Sequence, residues 1–246
     1  MTINSLFRLD GSKILITGAS NGLGKAISLA CADAGAQIIL HGRDLDRLNE
    51  LLKLLPGQGH QIFTADFTIP SQIIELADYC QNLNGIIHCA GVHGVVPMHL
   101  VQNKNLQDVM QVNFFAPITL TQRLLFKKKI LSGSSILFIS SIAAKTGKHG
   151  VGPYSASKAA ILGAMKPLAL EVSKHKIRVN ALCPGVVRGG LFRGQEEWLD
   201  KEVAPTYPLG LGEPEDVAQA SVFFMSRASS KITGTDFSID GGVPFT

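Results

Sequence analysis

The sequence predicts an α/β protein built on a doubly wound parallel sheet of about seven strands with helices on both faces. Three observations predict it. Apolar runs of strand length alternate with helix-like stretches along nearly all of the 246 residues. Most of those runs are near-continuous Ile, Leu and Val, which marks parallel strands covered on both faces. No Pro/Gly/Ser-rich linker, internal repeat or low-complexity tract divides the chain, so a single domain over 1–246 is expected.

The predicted strands are 13–17, 37–41, 61–65, 85–89, 135–140, 178–183 and 236–239. Between them lie helical segments near 22–34, 44–55, 70–82, 102–130, 154–174 and 214–227. The 186–213 stretch is irregular and carries the single tryptophan, Trp198. Irregular segments this long in a compact domain usually serve function, so 186–213 is read as a substrate lid.

Composition narrows the classes. Hydrophobic residues are 46% and charged residues 17%, which excludes disorder as the main state. A chain of this size buries roughly 70–75% of its unfolded surface, so no metal or disulfide is needed to hold it folded. The net charge of +4 is mild, and the one basic run, Lys127 to Lys129, reads as a solvated helix end. No nucleic-acid partner is expected. No apolar run reaches membrane-spanning length and the first ten residues lack a signal-peptide core, so no membrane association is expected. Cys31, Cys80, Cys89 and Cys183 have neither CxxC nor zinc-ligand spacing. They read as free thiols of a cytoplasmic protein with no metal site. Glycine is in excess, 25 residues, which calls for tight turns or close backbone approach.

Part of that excess falls in Thr17-Gly18-Ala19-Ser20-Asn21-Gly22-Leu23-Gly24, after the first strand and at the start of the first helix. Gly18 permits a sharp turn, Gly22 admits a pyrophosphate close to the backbone, and Gly24 lets helix pack on strand. With Ser20, Asn21 and Leu23, they place a helix amino end, with its free N–H groups and positive dipole end, against phosphates. The end of the second strand selects the dinucleotide. An acidic residue there would bind a ribose 2′-hydroxyl, but this chain has Gly42 followed by Arg43. The missing carboxylate and the planar guanidinium favour NADP(H) and leave NAD(H) open, as they leave open a merely solvated Arg43.

Tyr154 and Lys158 stand four apart at the start of a helix and so share one face. An ammonium beside a phenol lowers its pKa and makes the tyrosine a general acid or base. Ser141 ends a predicted strand, at the edge where open α/β sheets hold ligands, and its hydroxyl is placed to hold a carbonyl oxygen.

At this point the chain resembles the short-chain dehydrogenase/reductase family, most closely the branch containing 3-oxoacyl-acyl-carrier-protein reductases. The resemblance runs from about residue 9 to 243 and rests on Tyr154 with Lys158, Arg178-Val179-Asn180, Pro184-Gly185, Ile232-Thr233-Gly234 and Asp240-Gly241-Gly242. It implies a Rossmann fold and an enzyme interconverting a carbonyl and a secondary alcohol, with Tyr154 carrying the proton and Ser141 orienting the carbonyl. Lys158 would hold the nicotinamide ribose. Asp66 and Phe67 would lie at the adenine, Val187 would meet the carboxamide through its backbone, and Cys89, Ala90, Gly91, Pro184 and Gly185 would complete the cofactor site. Asn113 would anchor a relay water through its main chain. Pro117, four residues on, lacks the N–H that would otherwise bond the Asn113 carbonyl.

Three departures stand out. His88-Cys89-Ala90-Gly91 replaces the family's Asn-Asn-Ala-Gly, so the bracing of the sheet must differ. The Thr that often follows Pro-Gly is missing, with Gly189 or Gly190 in its region. Pro167 interrupts the Tyr–Lys helix and should bend it. The resemblance also implies a homotetramer or homodimer, and the broadly apolar 156–172 helix fits self-association. A 3-oxoacyl thioester is the first expectation for the substrate. Another secondary alcohol (sugar, steroid or secondary-metabolite type), a dinucleotide-binding sensor without turnover, and a purely structural subunit stay open. Pocket residues are expected from 93–98, 143–151 and 189–207, where Val95, Val96, Met98, Leu191, Phe192 and Trp198 lean toward a partly apolar substrate.

Overall fold

A computed structural model describes residues 3–192 and 194–243. Seven strands form one parallel sheet: β1 Lys13–Thr17, β2 Gln37–Gly42, β3 Gln61–Thr64, β4 Leu83–His88, β5 Ile130–Ile139, β6 Arg178–Pro184 and β7 Asp236–Ile239. Their order is β3-β2-β1-β4-β5-β6-β7, and every pairing is parallel. The chain winds outward in both directions from β1 and β4, which are neighbours in the sheet. The helices are α1 Ile3–Phe7, α2 Gly22–Asp33, α3 Leu45–Leu54, α4 Pro70–Tyr79, α5 Asn103–Met110, α6 Ala116–Phe126, α7 Gly152–Val172, α8 Glu196–Trp198 and α9 Pro214–Met225.

Strand alternation sorts the core onto two faces. Leu15 of β1 joins Ile73, Leu120 and Ile161 from α4, α6 and α7. Its neighbours Ile14 and Ile16 join Ile27, Leu48 and Val217 from α2, α3 and α9. Both faces are covered, which is why the strands read as unbroken apolar runs.

Two boundaries depart from expectation. The helix expected over 102–130 is broken into α5, a widened π-helical turn at Gln111–Phe115, and α6. In that turn the Ala116 N–H donates to Gln111 O, five residues back. Pro117, which supplies no N–H, explains the widening. β5 begins at Ile130, five residues before the expected start at 135. Ile130 pairs with Leu83, and the register then shifts so that Gly85 faces Ser135. Pro167 lies inside α7, which nevertheless runs unbroken to Val172. The 186–213 segment is a chain of short helical turns around a small core of Leu199, Val203 and Tyr207. Arg193 within it lies outside the described residues.

His88 and His41 close the carboxyl ends of β4 and β2 as buried rings. His88 stacks on Phe138 at 4.8 Å, with Nε2 2.8 Å from Thr121 Oγ1. His41 stacks on Phe67 at 4.3 Å, with Nε2 3.2 Å from Ala65 O. A carbonyl only accepts, so His41 carries its proton on Nε2. Neither Nδ1 has a partner among the described residues, which suits a neutral ring with a bare lone pair there. Burial depresses both, His41 to about 4 and His88 to about 3.

The sign follows from linkage. Below about pH 6.5 the unfolded chain takes up protons at these rings and the native state does not, so stability falls as pH drops toward 4. Each ring contributes a slope of about 1.4 kcal/mol per pH unit in that window. Denaturant titrations between pH 7 and 4.5 should therefore show His88→Asn with an acid limb shallower by about one proton. An unchanged slope would place the acid sensitivity elsewhere.

Candidate active site

The carboxyl ends of the central strands open into one cavity of about 1210 Å³. It lies where the connections from β1 and β4 leave for opposite faces of the sheet, the ligand crevice of doubly wound folds.

At one wall stands the turn between β1 and α2. Asn21 caps α2, its Oδ1 accepting from the Gly22 N–H at 2.8 Å. The amino end of α2 and its positive dipole face the cavity. The turn has no space for side chains at its key points. A Cβ on Gly24 would lie 2.1 Å from Gly18 O, and one on Gly18 would lie 2.7 Å from Ala90 Cα. Gly18, Ser20, Asn21, Gly22, Leu23 and Gly24 all line the cavity, a bare-backbone cradle that fits a dinucleotide pyrophosphate.

Arg43, Asp66 and Phe67 line the next stretch of wall. Arg43 is mostly exposed, with Nη1 3.9 Å from the Asp66 carboxylate. Burial pushes the Asp66 carboxyl up, but hydrogen bonds from Thr68 N–H (2.9 Å) and Oγ1 (2.8 Å), with Arg43, leave it below its usual range. Gly42 is hemmed in by Ser20, whose Oγ would lie 3.2 Å from an added Cβ.

Ser141, Tyr154 and Lys158 meet at the inner wall, together with Cys89, Ala90, Gly91, Pro184, Gly185 and Val187. Ser141 follows β5, and its Oγ accepts from the Ala143 N–H at 3.1 Å. Tyr154 sits in the first turn of α7, where Pro153 fits the helix start. Lys158 is 5% exposed; its Nζ donates to Ile139 O at 2.8 Å and lies 5.7 Å from the Tyr154 ring centre.

The electrostatics of Tyr154 run opposite to the expectation from spacing. Tyr154 lies above its usual pKa: burial raises it, and hydrogen bonding with Ser141 only partly offsets that. Lys158 does not pull it down, because burial depresses that ammonium to about 8 and its hydrogen bond goes to Ile139 O. Tyr154 is thus held in its phenol form at neutral pH.

Asn113 does not line the cavity; it is buried behind it. Its Oδ1 accepts from the Val92 N–H (2.8 Å), and its amide donates to Val92 O (3.0 Å) and Ser157 Oγ (3.0 Å). It thereby joins the loop after β4 to α7. The missing sheet bracing is also visible: Thr17 Oγ1 accepts from both the Cys89 and Ala90 N–H groups at 3.1 Å, and His88 reaches Thr121. In the 186–213 segment, Val186 N–H donates to the Tyr207 hydroxyl at 3.0 Å, and Arg188 pairs with Asp200 (2.6 Å) and Glu213 (3.2 Å). Val95, Phe192 and Trp198 line the cavity, whereas Val96 and Met98 do not. The side chain of Leu191 lies outside the described residues.

His41 and Arg47 line the cavity and were missed from sequence. The signal for Arg47 was its spacing of four from Arg43; His41 gave no signal beyond its place at a strand end. No described group of His, Cys, Asp and Glu is placed to hold a metal.

Comparison with known proteins agrees with this geometry. A family profile described as enoyl-(acyl carrier protein) reductase matches residues 18–244. The 3-oxoacyl-[acyl-carrier-protein] reductase FabG of Thermotoga maritima is 31% identical over 243 residues, covering 96% of this chain and 99% of that protein. A short-chain type dehydrogenase/reductase from Mycobacterium marinum superposes with a TM-score of 0.90 at 30% identity, over 100% of both chains. A 7α-hydroxysteroid dehydrogenase in complex with NADH and 7-oxo glycochenodeoxycholic acid gives 0.89 at 26% identity, over 100% of this chain and 99% of that one. The chain belongs to the short-chain dehydrogenase/reductase family. It is an oxidoreductase of hydroxyl and carbonyl groups, in a family that binds NAD(P)(H).

Pro117→Ala restores an N–H four residues after Asn113 and should let the π turn tighten. The expected result is a fall in kcat of about tenfold with little change in melting temperature. Equal kcat in a well-folded variant would remove any part for the widened turn in catalysis.

Proposed function

We propose that the chain is an NADP(H)-dependent reductase converting a carbonyl to a secondary alcohol, with a 3-oxoacyl thioester as substrate. The observation that carries the reading is one cavity with Ser141, Tyr154 and Lys158 at its inner wall and Gly42, Arg43 and Arg47 farther along. Two guanidinium groups beside a glycine suit a 2′-phosphate and leave no carboxylate on Gly42 to repel it. Gly18 to Gly24 cradle the pyrophosphate, Asp66 and Phe67 flank the adenine, and Cys89, Ala90, Gly91, Pro184, Gly185 and Val187 enclose the rest. Bound there, the nicotinamide supplies the hydride.

The protein's own groups handle the proton. Ser141 holds the carbonyl oxygen. Tyr154 donates its proton to that oxygen as negative charge develops, which a phenol held protonated by burial is suited to do. Lys158, fixed on Ile139 O, holds the nicotinamide ribose. The Asn113 carbonyl, with no N–H at Pro117 to bond, holds a water that returns the proton. The 186–213 segment acts as the lid over a single domain.

The thioester assignment is supported by the carrier-protein reductase relative. A second reading, a ring-bearing apolar alcohol, is favoured by the Phe192–Trp198 stack at 6.4 Å. No described helix is long and apolar enough to cross a membrane. Free thiols at all four cysteines support a cytoplasmic setting. Exposed Leu170 on α7 and Phe115 before α6 support a homotetramer or homodimer.

The test is a titration with NADPH against NADH, followed by turnover of acetoacetyl-coenzyme A and a panel of cyclic ketones. NADPH should bind at least about tenfold more tightly, and Arg43→Ala should erase most of that margin. Tyr154→Phe should lower kcat by at least about a thousandfold with NADPH affinity nearly intact. A Tyr154→Phe protein with substantial turnover would falsify the proton path.

A further inference from the structure

His93 lies on the loop after β4, and no part of the site described so far uses it. Its ring stands edge-on to Tyr154, centre to centre 4.8 Å, and 6.0 Å from Phe192. It lines the cavity. The backbone around it is fixed on both sides: Asn113 grips both the N–H and the C=O of Val92, and the Val96 N–H donates to Gly150 O at 2.7 Å. Yet among the described residues neither nitrogen of His93 has a hydrogen-bond partner. A polar ring is thus held in a set position against the proposed proton donor, its hydrogen-bonding capacity unspent and its surroundings aromatic.

We infer that His93 is a specificity-determining residue that hydrogen-bonds a second oxygen on the substrate, the carbonyl two carbons from the one that takes up hydride. The chemistry it selects is the 1,3-dicarbonyl class, as in a 3-oxoacyl thioester or 3-oxo ester. The inference rests on the proposed reductase reading and narrows it. His93 and Tyr154 share one stretch of cavity wall with ring centres 4.8 Å apart, so a carbonyl held at the Tyr154 hydroxyl has its neighbouring atoms within reach of the imidazole. Burial lowers the His93 pKa, so the ring is neutral at neutral pH and offers one N–H donor. A second carbonyl oxygen accepts from it. A plain ketone leaves that N–H without its acceptor, and sites built around such a bond discriminate against analogues that lack it.

The experiment measures steady-state kinetics with NADPH on ethyl acetoacetate and on 2-hexanone, which lacks the second oxygen. Three proteins are compared: wild type, His93→Phe and His93→Asn. Phenylalanine keeps a ring against Tyr154 and Phe192 but removes both nitrogens; asparagine restores a donor. His93→Phe should raise KM for ethyl acetoacetate about tenfold with kcat within about twofold, and leave 2-hexanone unchanged. His93→Asn should recover part of the loss. Equal effects on both substrates, or none on either, would overturn the role of His93 while leaving the reductase reading intact. A wild-type protein that reduces neither probe would overturn that reading first, and the inference with it.

Discussion

The site depends on how the ends of β1 and β4 are tied together. These strands are neighbours in the sheet, yet their connections leave for opposite faces, so nothing in the ladder continues beyond Thr17 and His88. One buried hydroxyl bridges the gap. Thr17 Oγ1 uses both acceptor positions on the Cys89 and Ala90 N–H groups. Loss of that oxygen would strand two donors, each costing about 1–3 kcal/mol if left unpaired. The tie also sets the distance between the glycine turn after β1 and the loop after β4. With Gly18 pressed on Ala90 and Gly24 on Gly18 O, neither can move without the other.

A second tie joins that loop to the inner wall of the cavity. Asn113 spends its whole side chain on Val92 and Ser157, and Ser157 Oγ in turn donates to Tyr154 O at 2.7 Å. Lys158 Nζ reaches Ile139 O, and Ser140 Oγ donates to Lys158 O at 3.0 Å, which fastens α7 to the end of β5. Tyr154, Lys158 and Ser141 therefore sit on two elements held as one block. His88, in place of an amide side chain, keeps β4 attached to α6 through Thr121 and fills its pocket by stacking on Phe138. The exchange gives up amide hydrogen bonds for ring packing and leaves a buried group that resists protonation.

The strands were legible in the sequence because burial on both faces writes them as unbroken apolar runs. Ser141, Tyr154, Lys158 and the turn at Gly18 to Gly24 were legible because their spacing needs only local geometry. The π turn before Pro117 and the early start of β5 were not. Each depends on how a backbone resolves a conflict, one over a missing N–H and one over a register shift against β4. The Tyr154 pKa was not legible, because spacing places Lys158 nearby but says nothing of how deeply both groups are buried. The glycine excess is also wider than a cofactor footprint. Gly11, Gly35, Gly57 and Gly59 have positive φ before strands, at turns on the edge away from the cavity.

The two ties bind the backbone and the inner-wall side chains but leave the outer walls free to vary. Phe192, Trp198 and Glu202 belong to a segment with its own small core, pinned through Tyr207 and Arg188 and by the Leu209 N–H on Gly241 O. The loop carrying His93 is clamped on either side of it, at Val92 and Val96, by bonds to backbone groups that do not depend on which side chain stands between them. Relatives near 30% identity accordingly bear names as different as a carrier-protein reductase and a hydroxysteroid dehydrogenase. In such a frame, under the proposed reading, the reaction would be set by the buried block and the substrate by the residues the block does not hold.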